Sequence, residues 1–149
     1  MDINGIAHIQ LTVTNLKKSL PFYKQLLEFF NMTRIFESDQ YYYAVGGRTG
    51  VAISQASPDQ ADEKFVQTRV GLHHFCFRLR SREDVDLLHE FVKKTGAKII
   101  RPPMQEDNWA PGYYSLLFED PDGIRLEANF IPGKGNLDPK TQLPKKWDW

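Results

Sequence analysis

The stretch Gly5 to Val13 (GIAHIQLTV) returns 66 positions later as Gly71 to Leu79 (GLHHFCFRL), with Gly5 over Gly71, His8 over His74 and apolar residue over apolar residue at four positions. A chain that repeats itself in this way folds as two copies of one small unit, and each copy needs a partner surface to complete its core. The repeat keeps a polar residue able to bind a metal while its neighbours drift, which points to one site shared by the two copies.

Hydrophobic periodicity gives both copies the same order of elements. In the first, Ile9, Leu11 and Val13 alternate with His8, Gln10 and Thr12, the signature of a strand with one face in the core. A helix is predicted from Lys17 to Phe30, where Leu20, Tyr23, Leu26, Leu27 and Phe30 form one stripe, with Asn15 as its cap. Strands follow at Thr33 to Glu37, Tyr41 to Val45 and Val51 to Ser54, with Gly46, Gly47 and Gly50 supplying a turn. The second copy reads as a strand from Leu72 to Leu79, a helix from Glu83 to Thr95 opened by a Ser81–Asp84 capping box, and strands near Lys98 to Arg101, Tyr113 to Glu119 and Ile124 to Phe130. The expected fold is α+β, two βαβββ modules whose curved mixed sheets form half-barrels with helices on the outer face.

The modules span residues 1–54 and 71–130, joined by a polar linker over 55–70 and followed by a tail over 131–149 that ends Trp-Asp-Trp. Two tryptophans, Trp147 and Trp149, are costly to leave in water, so the tail is expected to cover a surface of this chain or of a second subunit. The second module also carries a longer connection, Arg101 to Gly112 (RPPMQEDNWAPG), read as a loop that could close over a cavity.

Charge excludes some partners. Lysine plus arginine equals aspartate plus glutamate at 19 each, so no bulk field favours nucleic acid or an anionic membrane. A single cysteine, Cys76, rules out an intrachain disulfide framework and fits a reducing compartment. With no signal-like N-terminus and no long apolar run, the cytoplasm is the expected location.

Alternation also assigns faces. His8 points away from the first helix, and so does His74 in the matching strand, whereas His73 is placed on the core side. In the last strand Ile124, Leu126, Ala128 and Phe130 form the apolar face, so Glu127 lies on the face of the two histidines. Two imidazoles and a carboxylate that meet in this way form a facial triad, which holds a divalent transition metal and leaves positions open for substrate. His89 belongs on an exposed part of the second helix, Glu119 at a solvated strand end, and Cys76 reads as a small side chain in or near the cavity wall.

The repeat, the paired module order and the segment Phe118 to Glu127 (FEDPDGIRLE) resemble the vicinal oxygen chelate superfamily, which includes glyoxalase I, extradiol dioxygenases, fosfomycin-modifying thiol transferases and bleomycin-binding proteins. The turn Asp120–Gly123 suits its hairpin, with proline presetting φ, aspartates capping and glycine taking positive φ. The resemblance implies that His8, His74 and Glu127 bind a divalent metal (Fe, Mn, Ni, Co or Zn). Glyoxalase I adds a fourth ligand from the last strand of the first module; matching the copies puts Ser54 there, and serine argues for a three-ligand site.

The metal would bind adjacent oxygens of a small oxygen-rich substrate and support glyoxalase-like lyase or isomerase chemistry. Extradiol-type oxygenation at Fe(II) and non-catalytic binding of a drug or metabolite are the alternatives. Substrate contacts are expected from Gln10, Cys76, Tyr113, Ser115 and Asn129 on the cavity face and from Asn108 and Trp109 of the loop. No residue is singled out as a general base. The resemblance also implies a homodimer.

Overall fold

The computed structural model describes residues 1–137 and 139. Trp147 and Trp149 lie outside the described residues, and so does most of the tail. The elements are β1 (His8–Val13), α1 (Leu16–Phe29), β2 (Thr33–Glu37), β3 (Tyr41–Gly46), β4 (Thr49–Gln55), β5 (Phe75–Arg78), α2 (Arg82–Thr95), β6 (Lys98–Gln105), β7 (Tyr114–Glu119) and β8 (Arg125–Phe130). They make two βαβββ modules, each with a four-stranded mixed sheet, in the orders β1-β4-β3-β2 and β5-β8-β7-β6. In each sheet the first strand pairs parallel with the last, and the remaining pairs are antiparallel. Among the described residues no helix is long and apolar enough to cross a membrane.

The chain forms two compact units. One takes Met1–Phe65 together with Pro121–Gly123, and the other takes residues 66–120 and continues from Ile124. In the first unit α1 packs on β3 and β4, and Leu16, Tyr23, Leu26 and Leu27 are buried in one core with Leu11, Val13, Tyr42 and Ile53. Asn15 caps the helix by accepting from the Lys18 amide at 3.2 Å. The hairpin before β4 turns on Gly47 and Arg48, both at positive φ (56° and 69°), which is the two-residue turn whose twist suits flanking strands. Gly50 is therefore not part of the turn. It lies in β4 under the ring of Tyr43, which leaves no space for a Cβ.

In the second unit α2 starts in the expected capping box, Ser81 and Asp84 bonding each other's backbone amides at 3.1 Å each. It ends at Gly96 in the left-handed conformation. Val85, Leu88 and Val92 are buried with Leu116, Phe118, Leu126 and Ala128 as its core.

Two sequence expectations are corrected. The connection Arg101 to Gly112 is not a long open loop, because β6 runs on to Gln105 and only a short return remains. Register shifts on both sides of Arg101 accommodate Pro102 and Pro103, which an edge strand tolerates. The return is tied internally: Asp107 accepts from Gln105 Nε2 and from the Gly112 amide at 2.8 Å, and Ala110 is fully buried. The second correction concerns the turn at Asp120–Gly123. Asp120 does cap it, accepting from the Ile124 amide at 2.7 Å, but Asp122 turns away. It belongs to the first unit, where it accepts from the Thr14 amide (3.1 Å), the Thr14 hydroxyl and the Ser19 hydroxyl (2.6 Å) at the start of α1.

Candidate metal centre

Strand β8 carries Leu126 and Ala128 toward α2 and Glu127 and Asn129 to the opposite face, and all four are buried. Glu127 pairs in register with Cys76 of β5, and His74 stands one residue before that strand. This brings His74 Nε2 to 3.1 Å from Glu127 Oε2. Two donors bound at right angles to one cation at ~2.1 Å stand about 3 Å apart, so this pair fits neighbouring positions on a transition metal.

The opposite nitrogen of His74 is also held. Its Nδ1 is 2.7 Å from Nδ1 of His73, the rings lying edge to face. His73 was expected on the core side and is instead half-buried beside His74; both residues precede β5, so strand alternation does not govern them. A metal-binding histidine anchored through its second nitrogen has its ring orientation fixed.

Glu127 is the centre of a larger network. Its Oε1 accepts from the Tyr113 hydroxyl at 2.8 Å and is 3.6 Å from Nη2 of Arg101. Arg101 in turn contacts Glu106 at 2.7 Å and donates to the buried Ser115 hydroxyl at 2.8 Å. Burial pushes the Glu127 carboxyl up, but hydrogen bonds from His74, Tyr113 and Ser115 outweigh it and leave the pKa below the ordinary value. The group is an anion at neutral pH, as a ligand must be. Burial and then the Glu127 charge push the Tyr113 phenol up, so it stays protonated as a donor. The Cys76 thiol is raised as well, by the desolvating protein around it and by the Glu127 charge, while the residue itself is exposed. A thiol so placed is a poor nucleophile.

The other expected site residues are spread over both units. His8, Gln10 and Thr12 lie on one exposed face of β1 in the first unit, where Gln10 Nε2 donates to Ser54 Oγ at 3.3 Å. Among the described residues no group of three or more His, Cys, Asp or Glu side chains is gathered to hold a metal, and His74 and Glu127 stand together as a pair. Ser115 is engaged by Arg101 and Glu106, Asn108 is exposed and Trp109 half-buried. Asn129 is buried and its Oδ1 has no hydrogen-bond partner among the described residues, a polar atom that would accept from a water or a ligand. Glu119 is held by Lys98 (3.2 Å) and Arg125 (2.8 Å) and is braced rather than solvated.

Strand register also corrects the match of the copies. Gln10 pairs with Ala52 as Cys76 pairs with Glu127, so the counterpart of Glu127 is Ala52, and Ser54 corresponds to Asn129. Alanine has no side-chain atom able to bind a metal. Arg101 and Glu106 were not foreseen; the signal for them was a charged pair five residues apart in a proline-containing segment, which spacing alone does not interpret.

A family model for the Glyoxalase/Bleomycin resistance protein/Dioxygenase superfamily matches residues 5–128. The chain belongs to this superfamily. Among similar proteins are the metallothiol transferase FosB of Shouchella clausii, 28% identical over 85% of this chain and 80% of its own length, and the uncharacterized protein YqjT of Bacillus subtilis, 25% identical over 80% and 94%. A solved glyoxylase/bleomycin resistance protein/dioxygenase domain from Frankia sp. EAN1pec superposes with a TM-score of 0.68 at 28% identity, covering 87% of this chain and 98% of that one. As a member of the glyoxalase superfamily, the chain has the paired-module fold that its sequence implied.

Proposed function

We propose that this glyoxalase-superfamily protein is a divalent-metal-dependent enzyme acting on a small oxygen-rich molecule. His74 and Glu127 would hold the metal, with His8, the repeat match of His74 in the first unit, as third ligand. The observation that carries this reading is the 3.1 Å approach of His74 Nε2 to the Glu127 carboxylate, whose other oxygen is already bonded. Two imidazoles and one carboxylate suit Mn, Fe, Co, Ni or Zn and leave positions for two substrate oxygens. When bound, the metal would supply Lewis-acid stabilisation of charge developing on those oxygens.

The protein's own groups orient the substrate. Asn129 offers a buried acceptor, Cys76 pairs in register with Glu127 on the same sheet, and Gln10, Asn108 and Trp109 would add substrate contacts. The first reading of the chemistry is glyoxalase-like, a lyase or isomerase step. A second reading, thiol transfer to an activated small molecule, is favoured by the likeness to a protein named a metallothiol transferase. The resistance of the Cys76 thiol to ionisation means that such a thiol would come from a co-substrate. Assembly as a homodimer belongs to the same proposal and is measured by sedimentation.

The test begins with metal analysis of the purified protein and titration with Mn(II), Co(II), Ni(II) and Zn(II). The metal form is then assayed on thiol adducts of 2-oxoaldehydes, on fosfomycin with a thiol, and on catechols with Fe(II) and oxygen. The expected result is one metal per chain, lost in the His8→Ala, His74→Ala and Glu127→Ala variants. Binding of no divalent metal, or binding that survives all three substitutions, overturns the reading.

A further inference from the structure

Arg101 lies at a break in its own strand. The β6–β7 ladder shifts register between Ile99 and Arg101 and again between Arg101 and Met104, so the backbone is irregular on both sides of this one residue. Bulges of this kind re-aim a side chain. Here the side chain runs across the sheet, donating to Glu106 Oε2 from Nη1 at 2.7 Å and to Ser115 Oγ from Nη2 at 2.8 Å, while Nη2 stands at ion-pair distance, 3.6 Å, from Glu127 Oε1. Ser115 is fully buried, and the Arg101 side chain keeps 23% of its surface exposed.

Resting on the metal reading above, we propose that Arg101 is a positioning residue for Glu127: together with Tyr113 it occupies Oε1, so that Oε2 is the oxygen presented beside His74. A carboxylate free to rotate offers either oxygen or both. One whose Oε1 bonds a phenol and faces a guanidinium offers only the other. Glu106 has the complementary part. Paired with Arg101, it draws off charge that would otherwise fall wholly on Glu127 and compete with a cation for the carboxylate. The planar fork of arginine bonds Glu106 and Ser115 while still facing Glu127, whereas a lysine ammonium is a single point of charge.

The competing interpretation is that Arg101 and Glu106 merely brace the hairpin, which would affect stability and leave ligation untouched. Titration of the full chain with Co(II), read by its visible absorption, separates the two. Arg101→Gln and Tyr113→Phe are each expected to weaken Co(II) binding about 10- to 100-fold, the usual effect of losing an outer partner of a ligand. Each is also expected to alter the Co(II) spectrum, because Oε1 is released. Arg101→Lys should recover less than half of the lost affinity on a logarithmic scale. Melting of the metal-free proteins reports folding, and Tyr113→Phe, which removes one hydroxyl, carries the test if Arg101→Gln fails to fold. Wild-type affinity and spectrum in both variants, with binding lost in Glu127→Gln, would overturn the proposal. A wild-type protein that binds no Co(II), or a Glu127→Gln variant that binds normally, would instead remove the metal reading itself.

Discussion

The two sheets share strand order and pairing sense, yet equivalent positions on their helix-distal faces carry different chemistry. Where the second unit has Glu127, held by Tyr113 and Arg101 and facing His74, the first has Ala52. Where the second has Asn129, its Oδ1 unmet among the described residues, the first has Ser54, bonded to Gln10 and to the Leu11 carbonyl. The first face is also occupied by an aromatic ring, Tyr43 over Gly50. Duplication has thus kept the backbone ladder and one histidine per copy while concentrating charge in one half. A repeated scaffold fixes positions, and the residues at those positions are free to diverge.

The largest effect should come from testing this asymmetry directly. Glu127→Ala is expected to weaken divalent-metal binding by more than about 100-fold, beyond the loss typical of an outer partner. Ser54→Ala should leave affinity within about 3-fold, since serine is a weak ligand. Calorimetric titration of both variants measures the contrast, and equal losses would break it.

Next is the asymmetry in how the units are held. Asp122→Ala removes three hydrogen bonds to the start of α1 and leaves the buried Ser19 hydroxyl unmatched, and is expected to cost about 2 kcal/mol in urea unfolding. Gly50→Ala should cost about 1 to 3 kcal/mol, because the Tyr43 ring must shift to admit the methyl group.

The smallest expected effect is on pH dependence. Burial is the first cause raising both Tyr42 in the first unit and Tyr113 in the second, but only Tyr113 has a carboxylate directly on its hydroxyl. A folded pKa above the ordinary 10.0 means a stabilising contribution that is intact below pH 10 and lost as the pH rises through the folded value. Ultraviolet titration of tyrosinate should show Tyr113 ionising last, and Glu127→Gln should bring it down while leaving Tyr42 unchanged.

Much of this was legible in the chain. Period-two alternation placed Glu127 opposite the apolar face of β8, and the Ser81 and Asn15 caps were read from residue type and position. What escaped depended on register or on distant contacts. His73 could not be assigned by alternation because β5 starts only at Phe75. The Ser54 match failed because the two copies differ in length between their first and last strands, and the parallel pairs β1–β4 and β5–β8 alone show which residues correspond. Arg101 was hidden by the bulges around two prolines, and the destination of Asp122 lies 108 residues away from Thr14.

That last contact bears on how the protein is made. The opening helix is completed by a carboxylate near the end of the described chain, so during synthesis the N-terminal half leaves the ribosome without one of its own fastenings. A fragment cut after Phe65 would carry the same defect permanently. Supplying a peptide that contains Pro121–Gly123 is the natural way to mend it.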